Sequence, residues 1–165
     1  VDALSQSPVT NVSINYNVAL ITIDNLPSDK MHLIPDIFNA IAEQNINIDM
    51  ISQAPPYRGV INLSFTLPSD DLVKAISVLN KFKKIVPGLF IEINAENTKL
   101  SVYGEQMKNI PGVAAKLFTI FAGNGIDIKL VTTSEVDISY LIDEKDVDKA
   151  LKAIKDEYNI NLQEG

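Results

Sequence analysis

VTNVSINY, Val9 to Tyr16, is the segment on which the fold turns. Val12, Ile14 and Tyr16 alternate with polar residues as a half-buried strand requires, yet the segment belongs to neither of the two repeats that follow it. Those repeats emerge when the chain is slid against itself. At a shift of 80, Phe38, Ala42, Ile46 and Ile48 fall on Phe118, Ala122, Ile126 and Ile128, and VALITID (Val18 to Asp24) meets TKLSVYG (Thr98 to Gly104) with Leu20 on Leu100. Farther along the shift is 75, and DLVKA (Asp71 to Ala75) meets DVDKA (Asp146 to Ala150). The first copy therefore carries five extra residues, placed in the Pro/Gly loop APPYRG (Ala54 to Gly59), where insertion costs little.

Each copy reads strand, polar turn, helix, two strands, helix. In the first, Ile34, Ile37, Phe38 and Ile41 recur at helical spacing, and strands are expected near Asn47 to Gln53 and Val60 to Leu67. A helix follows over roughly Ser69 to Lys83, and Leu89, Phe90, Ile91 and Ile93 make a closing strand after the turn at Pro87 and Gly88. The order βαββαβ predicts an α+β fold of two ferredoxin-like units, each an antiparallel sheet with helices on one face. The second copy does not finish, because its closing strand would start at residue 164. A sheet without its fourth strand has an open edge, so Val9 to Tyr16 is expected to complete it. The competing arrangement pulls NINL (Asn159 to Leu162) forward to close the sheet directly. The expected division is a first domain over 17–97, a second over 98–165 completed by 9–16, and a linker over 1–8.

Composition narrows the function. With 46% hydrophobic residues the chain is too apolar for disorder, and a net charge of −7 repels nucleic acid and anionic lipid. The absence of cysteine excludes disulfides, thiolate zinc sites, iron–sulfur clusters and cysteine nucleophiles, and fits a reducing, cytoplasmic setting. His32 is the single histidine, which excludes multi-histidine metal sites. No apolar run approaches the ~20 residues of a spanning helix, and no signal segment opens the chain. A start at Val1 rather than Met suggests a processed protein or a fragment.

No Gly-x-x-x-x-Gly-Lys or Gly-x-Gly-x-x-Gly phosphate cradle occurs. AGNG (Ala122 to Gly125) reads as a helix stop, and DEKDVDK (Asp143 to Lys149) as acids favouring the start of a solvent-facing helix rather than as a metal cluster. KFKK (Lys81 to Lys84) suits the negative end of a helix, and Phe38, Phe65, Phe82, Phe118 and Phe121 are expected in the core. What remains is the turn before the first helix of each copy, SDKMH (Ser28 to His32) and KNIPG (Lys108 to Gly112). Free N–H groups at a helix start attract a carboxylate, and Pro111-Gly112 lets it come close. Asn47, Asp49 and Gln53 in one copy, and Asp127, Thr132, Thr133 and Ser134 in the other, offer oxygens to an ammonium. That combination fits a zwitterionic α-amino acid. The alternative is simple capping by Asn109 and Asp29.

The strings VTNVSI, NVALITIDNLPSD, INIDMISQ, IDIKLVTTSEVDISYLI and MKNIPGVAAKLF together resemble the regulatory region of aspartokinases, a tandem of ACT domains, from about Val9 to Tyr158. The resemblance implies paired βαββαβ units with the N-terminal strand joining the second. It also implies feedback control, by lysine, threonine or both, of an enzyme that phosphorylates aspartate on the way to lysine, threonine and methionine, with homodimerisation through the ACT domains. The catalytic domain, with its ATP and magnesium, is not matched here, so no cofactor is expected in this chain. Positions matching the family's effector contacts are Asp29, His32, Ile34 and Gln53 in the first copy. In the second they are Met107, Asn109, Gly112, Val113, Gly125, Asp127, Ile128, Ser134 and Glu135. The first copy departs from the family's Pro-Gly with Met31 and His32, whose larger side chains are expected to fill ligand space, and Asp127 replaces a common Asn. Alternatives are a dimerisation module with decayed sites and a free-standing ACT sensor of another enzyme.

Overall fold

A computed structural model describes residues 7–164, so most of the 1–8 linker lies outside the described residues. Contacts divide the chain into two compact units, one of Asn17–Glu96 and one that joins the leader up to Tyr16 to the chain from Asn97 onwards. Two long strands contribute to both, β1 (Asn11–Pro27) and β4 (Phe90–Tyr103). The chain leaves one unit for the other at Asn17 (φ 56°) and Glu96 (φ 62°), left-handed positions that Asn adopts readily and Glu does not.

In the unit of Asn17–Glu96 the strand order is β2 (Ile51–Gln53), β3 (Val60–Pro68), β1, β4. β3 runs antiparallel to β1 from Val18 opposite Pro68 to Pro27 opposite Val60, with an irregularity between Ile23 and Leu26 where Asn25 has φ 65°. Alternation sends Ile21 and Ile23 of β1 and Ile61, Leu63, Phe65 and Leu67 of β3 into the core. Helices α1 (Leu33–Glu43) and α2 (Leu72–Ile85) cover that face with Ile37, Ile41, Ala75, Leu79 and Phe82.

The other unit repeats the plan with β4, α3 (Val113–Gly123), β5 (Ile128–Thr133), β6 (Asp137–Asp143) and α4 (Val147–Tyr158). Its fourth strand is the leader, for Val9, Val12 and Ile14 are buried in its core with Leu100, Leu117, Phe121 and Tyr140. β7 (Asn161–Glu164) then pairs in parallel with Asn11 to Ile14, so the order is β5, β6, β4, β1, β7. The direct closure by NINL is thus overturned: that segment flanks the leader instead of replacing it. The leader is held by Thr10 N–H donating to the Tyr103 carbonyl at 2.8 Å and by Gly104, where a Cβ would stand 1.7 Å from the Pro8 carbonyl oxygen.

Two further expectations need correction. The strand expected from Asn47 begins only at Ile51; before it Thr66 accepts at its carbonyl from Asp49 N–H at 3.0 Å, donates its N–H to the Met50 carbonyl at 2.9 Å and accepts at its hydroxyl from Met50 N–H at 2.9 Å, which takes Met50 N–H out of the ladder. Phe118 is 42% exposed; its ring reaches the core only edge-on, 5.7 Å from that of Tyr140. The acids of DEKDVDK stand at the start of α4 as expected, with Asp146 buried and Lys149 3.6 Å away.

Candidate functional site

At the start of α3, Gly112 has φ 86°, a left-handed turn that glycine alone takes without strain, and it is exposed. It redirects the chain so abruptly that no residue before it continues the helix. Gly112 C=O accepts from Lys116 N–H at 3.0 Å, while Val113, Ala114 and Ala115 open the helix with N–H groups that have no acceptor in the preceding turn. Among the described residues no side chain caps them, and no acid sits in the first turn. Val113 is buried and anchors the helix mouth to the core.

The order βαββαβ makes α3 and α4 antiparallel, so the start of one meets the end of the other. A cavity of about 550 Å³ lies there, lined by Ser7 and Pro8 of the leader, by Ile110, Pro111, Gly112, Val113 and Lys116 around the start of α3, and by Glu157, Tyr158 and Asn159 at the end of α4. Lys116 Nζ pairs with Glu157 Oε1, which holds the ammonium above its ordinary pKa by hydrogen bond and charge. Burial pushes the Tyr158 phenol up, and its hydroxyl has no hydrogen-bond partner. Asn159, at φ 51°, ends α4 by donating its N–H to the Lys155 carbonyl at 2.9 Å. The cavity thus has a positive pole at one helix start and a negative pole at the other helix end.

The residues expected to form the second-copy site fall in four places. Gly112 and Val113 line the cavity. Met107 is buried in the 3-10 turn Glu105–Asn109, and exposed Asn109 donates from Nδ2 to Gln106 Oε1 at 3.2 Å instead of capping a helix. Ser134 and Glu135 form the β5–β6 turn at the same end of the sheet, since Gly104 N–H donates to the Val136 carbonyl at 2.9 Å. The Ser134 hydroxyl is engaged in its own turn, donating to Asp137 Oδ1 and accepting from Asp137 N–H at 3.2 Å. Gly125, Asp127 and Ile128 lie at the opposite end of β5, roughly 20 Å away at a strand's rise per residue. The unit therefore does not bring them to the α3 mouth.

The first-copy turn is differently built. Ser28–Lys30 forms a 3-10 turn carrying exposed Asp29, and Met31 and His32 are already helical, so the chain runs on into α1. Ile34 N–H donates to the Met31 carbonyl at 3.0 Å, and Pro35 has no N–H, which removes two of the donors that the α3 mouth keeps. Asp36 adds a negative charge to the first turn, and Ile34 directs its side chain into the core. Asp29 caps neither the turn nor α1. Met31 and His32 are both exposed. Gln53, exposed at the end of β2, lies at this same end of the sheet, opposite Leu63.

Sequence reading missed Lys116, Glu157, Tyr158 and Asn159. The signal was present in the topology, because in a βαββαβ unit the first helix begins where the second ends. A second hollow of about 510 Å³ lies on the helix-free face of the same sheet, lined by Asn11, Ser13, Ser101, Tyr103, Val136 and Asp137. The Ser101 hydroxyl is bonded to that of Ser139 at 2.9 Å, and the Tyr103 hydroxyl donates to Glu105 Oε2 at 2.8 Å. That last bond raises the Tyr103 pKa and, with Lys108, lowers that of Glu105. Among the described residues no group of His, Asp and Glu could hold a metal ion, and no helix is long and apolar enough to cross a membrane.

Comparison with known proteins yields a consistent set. The ACT domain family matches residues 35–81 and 100–158. An aspartokinase of Bacillus sp. (strain MGA3) is 34% identical over 153 residues, which are 93% of this chain and 37% of that protein. The ligand-free regulatory subunit of aspartate kinase from Thermus thermophilus superposes with a TM-score of 0.82 at 30% identity, over 90% of this chain and 97% of that one. A chain from a structure of aspartokinase alpha and beta subunits superposes with a TM-score of 0.80 at 34% identity, with the same coverage. The chain thus spans little more than a third of the length of the curated relatives it matches.

Proposed function

The chain belongs to the ACT-domain family and corresponds to the regulatory, not the catalytic, part of aspartokinases, and on that premise we propose that it senses a free amino acid at the mouth of α3. The observation that carries this reading is the pairing of opposite helix ends around one cavity. An α-carboxylate would sit on the N–H groups of Val113 to Ala115 where Gly112 leaves them open, and the ammonium would face Glu157 and the terminal carbonyls of α4. Lys116 would be displaced from Glu157 as the ligand's ammonium takes its place. Lysine and threonine are the proposed effectors, acting as feedback inhibitors of aspartate phosphorylation. ATP and magnesium would bind in the catalytic part, outside this chain, and the working form is a cytoplasmic homodimer joined through its ACT domains.

Control then follows from differential affinity. A ligand that binds the inhibited arrangement more tightly shifts the population toward it by that ratio. In the family the effector lies between ACT units, so Asn109, Ser134, Glu135, Gly125, Asp127 and Ile128 are proposed to complete the site across copies rather than within one. Titration calorimetry with lysine and threonine tests the reading: heat that vanishes in Gly112→Val supports it, and no heat with either amino acid defeats it. A second reading, of a dimerisation unit without a ligand, is favoured for the first copy by its closed α1 mouth. Light scattering that shows a tight dimer indifferent to both amino acids would extend that reading to the whole chain.

A further inference from the structure

Tyr158 ends α4 and lines the α3 cavity, and its ring packs against the core. Its hydroxyl is buried there without a hydrogen-bond partner. The other polar side chains of the cavity wall are differently placed. The Ser7 hydroxyl accepts from Val9 N–H at 3.3 Å, Lys116 and Glu157 hold each other, and Asn159 is exposed. A buried hydroxyl left unbonded is destabilising, so its retention beside a cavity calls for a reason.

A second hydroxyl of the same kind lies close by. Tyr140 of β6 is fully buried, its oxygen also lacks a partner, and a charge on Tyr158 would raise its pKa, which marks the two oxygens as neighbours. At the shift of 75 the first copy has Phe65 and Lys83 in these places. Phe65 brings no hydroxyl, and Lys83 is exposed. Both hydroxyls therefore belong to the copy whose helix mouth is open and are missing from the copy whose mouth is closed.

The charges that bear on Tyr158 are those of Lys116 and Glu157. Among the described residues Glu157 is the single acid on the cavity wall, and in the proposed function it takes the ligand's α-ammonium as Lys116 leaves. A second ammonium, on a side chain, would find Lys116 and no carboxylate. A purely apolar side chain would leave the Tyr158 hydroxyl unbonded in a site that the ligand has closed. A hydroxyl on the β-carbon stays close to the α-ammonium and can reach the phenol, while Pro8, Ile110 and Pro111 offer an apolar wall to a methyl group.

We propose that Tyr158 is the specificity-determining residue of the α3 site, its hydroxyl bonding the side-chain hydroxyl of a β-hydroxy-α-amino acid. The inference rests on the proposed sensing function and adds to it the group that reads the side chain. Between the two proposed effectors it selects threonine at this site. A site that holds a hydroxyl for its ligand rejects the analogue lacking one far more strongly than an apolar pocket rejects an added hydroxyl.

Titration calorimetry on this chain with threonine, valine and lysine is the test, valine having threonine's shape with a methyl in place of the hydroxyl. Threonine is expected to bind at least about tenfold more tightly than either of the others. In Tyr158→Phe, threonine should weaken at least about tenfold and valine less than about twofold, so that the preference over valine is lost. A merely structural Tyr158 would move both affinities together. Circular dichroism checks the variant's fold, and if it fails, Tyr158→Leu takes its place with the same loss of preference expected. Equal affinity for threonine and valine in the unaltered chain overturns the proposal and leaves the sensing function standing. A threonine preference that survives the substitution, or tighter binding of lysine than of threonine, does the same. No heat with any of the three defeats the sensing function and this proposal with it.

Discussion

The α1 and α3 mouths descend from one repeat and have opposite characters. At the shift of 80, Met31 and His32 stand where the other copy has Pro111 and Gly112. The left-handed Gly112 breaks the chain before α3 and leaves its first donors open, whereas helical Met31 and His32 let the 3-10 turn run into α1 and take up the Ile34 N–H. Pro35 and Asp36 then remove a donor and add a repelling charge. A duplicated fold can therefore keep both cores while retaining one mouth, because a mouth depends on two or three backbone angles and a core on many side chains.

The largest expected effect tests what secures the α3-bearing unit. Gly104→Ala would drive a Cβ into the Pro8 backbone, and a loss of about 3 kcal/mol or more is expected in denaturant unfolding. Asp24, the repeat counterpart of Gly104, already carries a side chain, so a loss below about 1 kcal/mol would show that the leader is not firmly held.

Gly112→Val comes next, costing about 1–2 kcal/mol through its left-handed backbone while abolishing amino-acid heat. The converse change is Met31→Pro with His32→Gly and Pro35→Ala. It should open the α1 mouth and raise calorimetric stoichiometry from one site per chain toward two; an unchanged stoichiometry would mean that Asp29 and Asp36 alone exclude the ligand.

The smallest effect concerns a matched aromatic pair. Phe38 meets Phe65 edge-on at 5.3 Å, and Phe118 meets Tyr140 edge-on at 5.7 Å. Tyr140 is fully buried and its hydroxyl has no partner, so Tyr140→Phe, which copies the first repeat, should raise stability by about 1 kcal/mol. Burial raises the Tyr140 pKa in the folded state. The folded chain then keeps a proton that the unfolded chain loses, so stability falls as pH rises above about 10, and the variant should flatten that slope.

Much of this architecture was legible because alternation and helical spacing report which face of an element is buried. Ile61, Leu63, Phe65 and Leu67 could be assigned inward from period alone, and the unfinished second copy called for Val9 to Tyr16. Period does not say which strand lies beside which, so the parallel seat of β7 against Asn11 to Ile14 was hidden. Nor does it measure depth, and Phe118 was assigned to the core although its ring is partly outside. The site was half legible. Pro111-Gly112 announces an open helix start locally, but Glu157 and Tyr158 reach it only through packing of α4 against α3. Gly125 and Asp127 follow the same rule in reverse, being near the mouth in sequence and far from it along β5.

The parallel pairing of Asn11 with Asn161 also dictates an order of events during synthesis. The unit of Asn17–Glu96 has its whole sheet and both helices once Glu96 has emerged, and it can mature while translation continues. Its companion must hold its first strand in waiting until Asn161 to Glu164 have been made, so its contacts are of high contact order and its closure is the slow step.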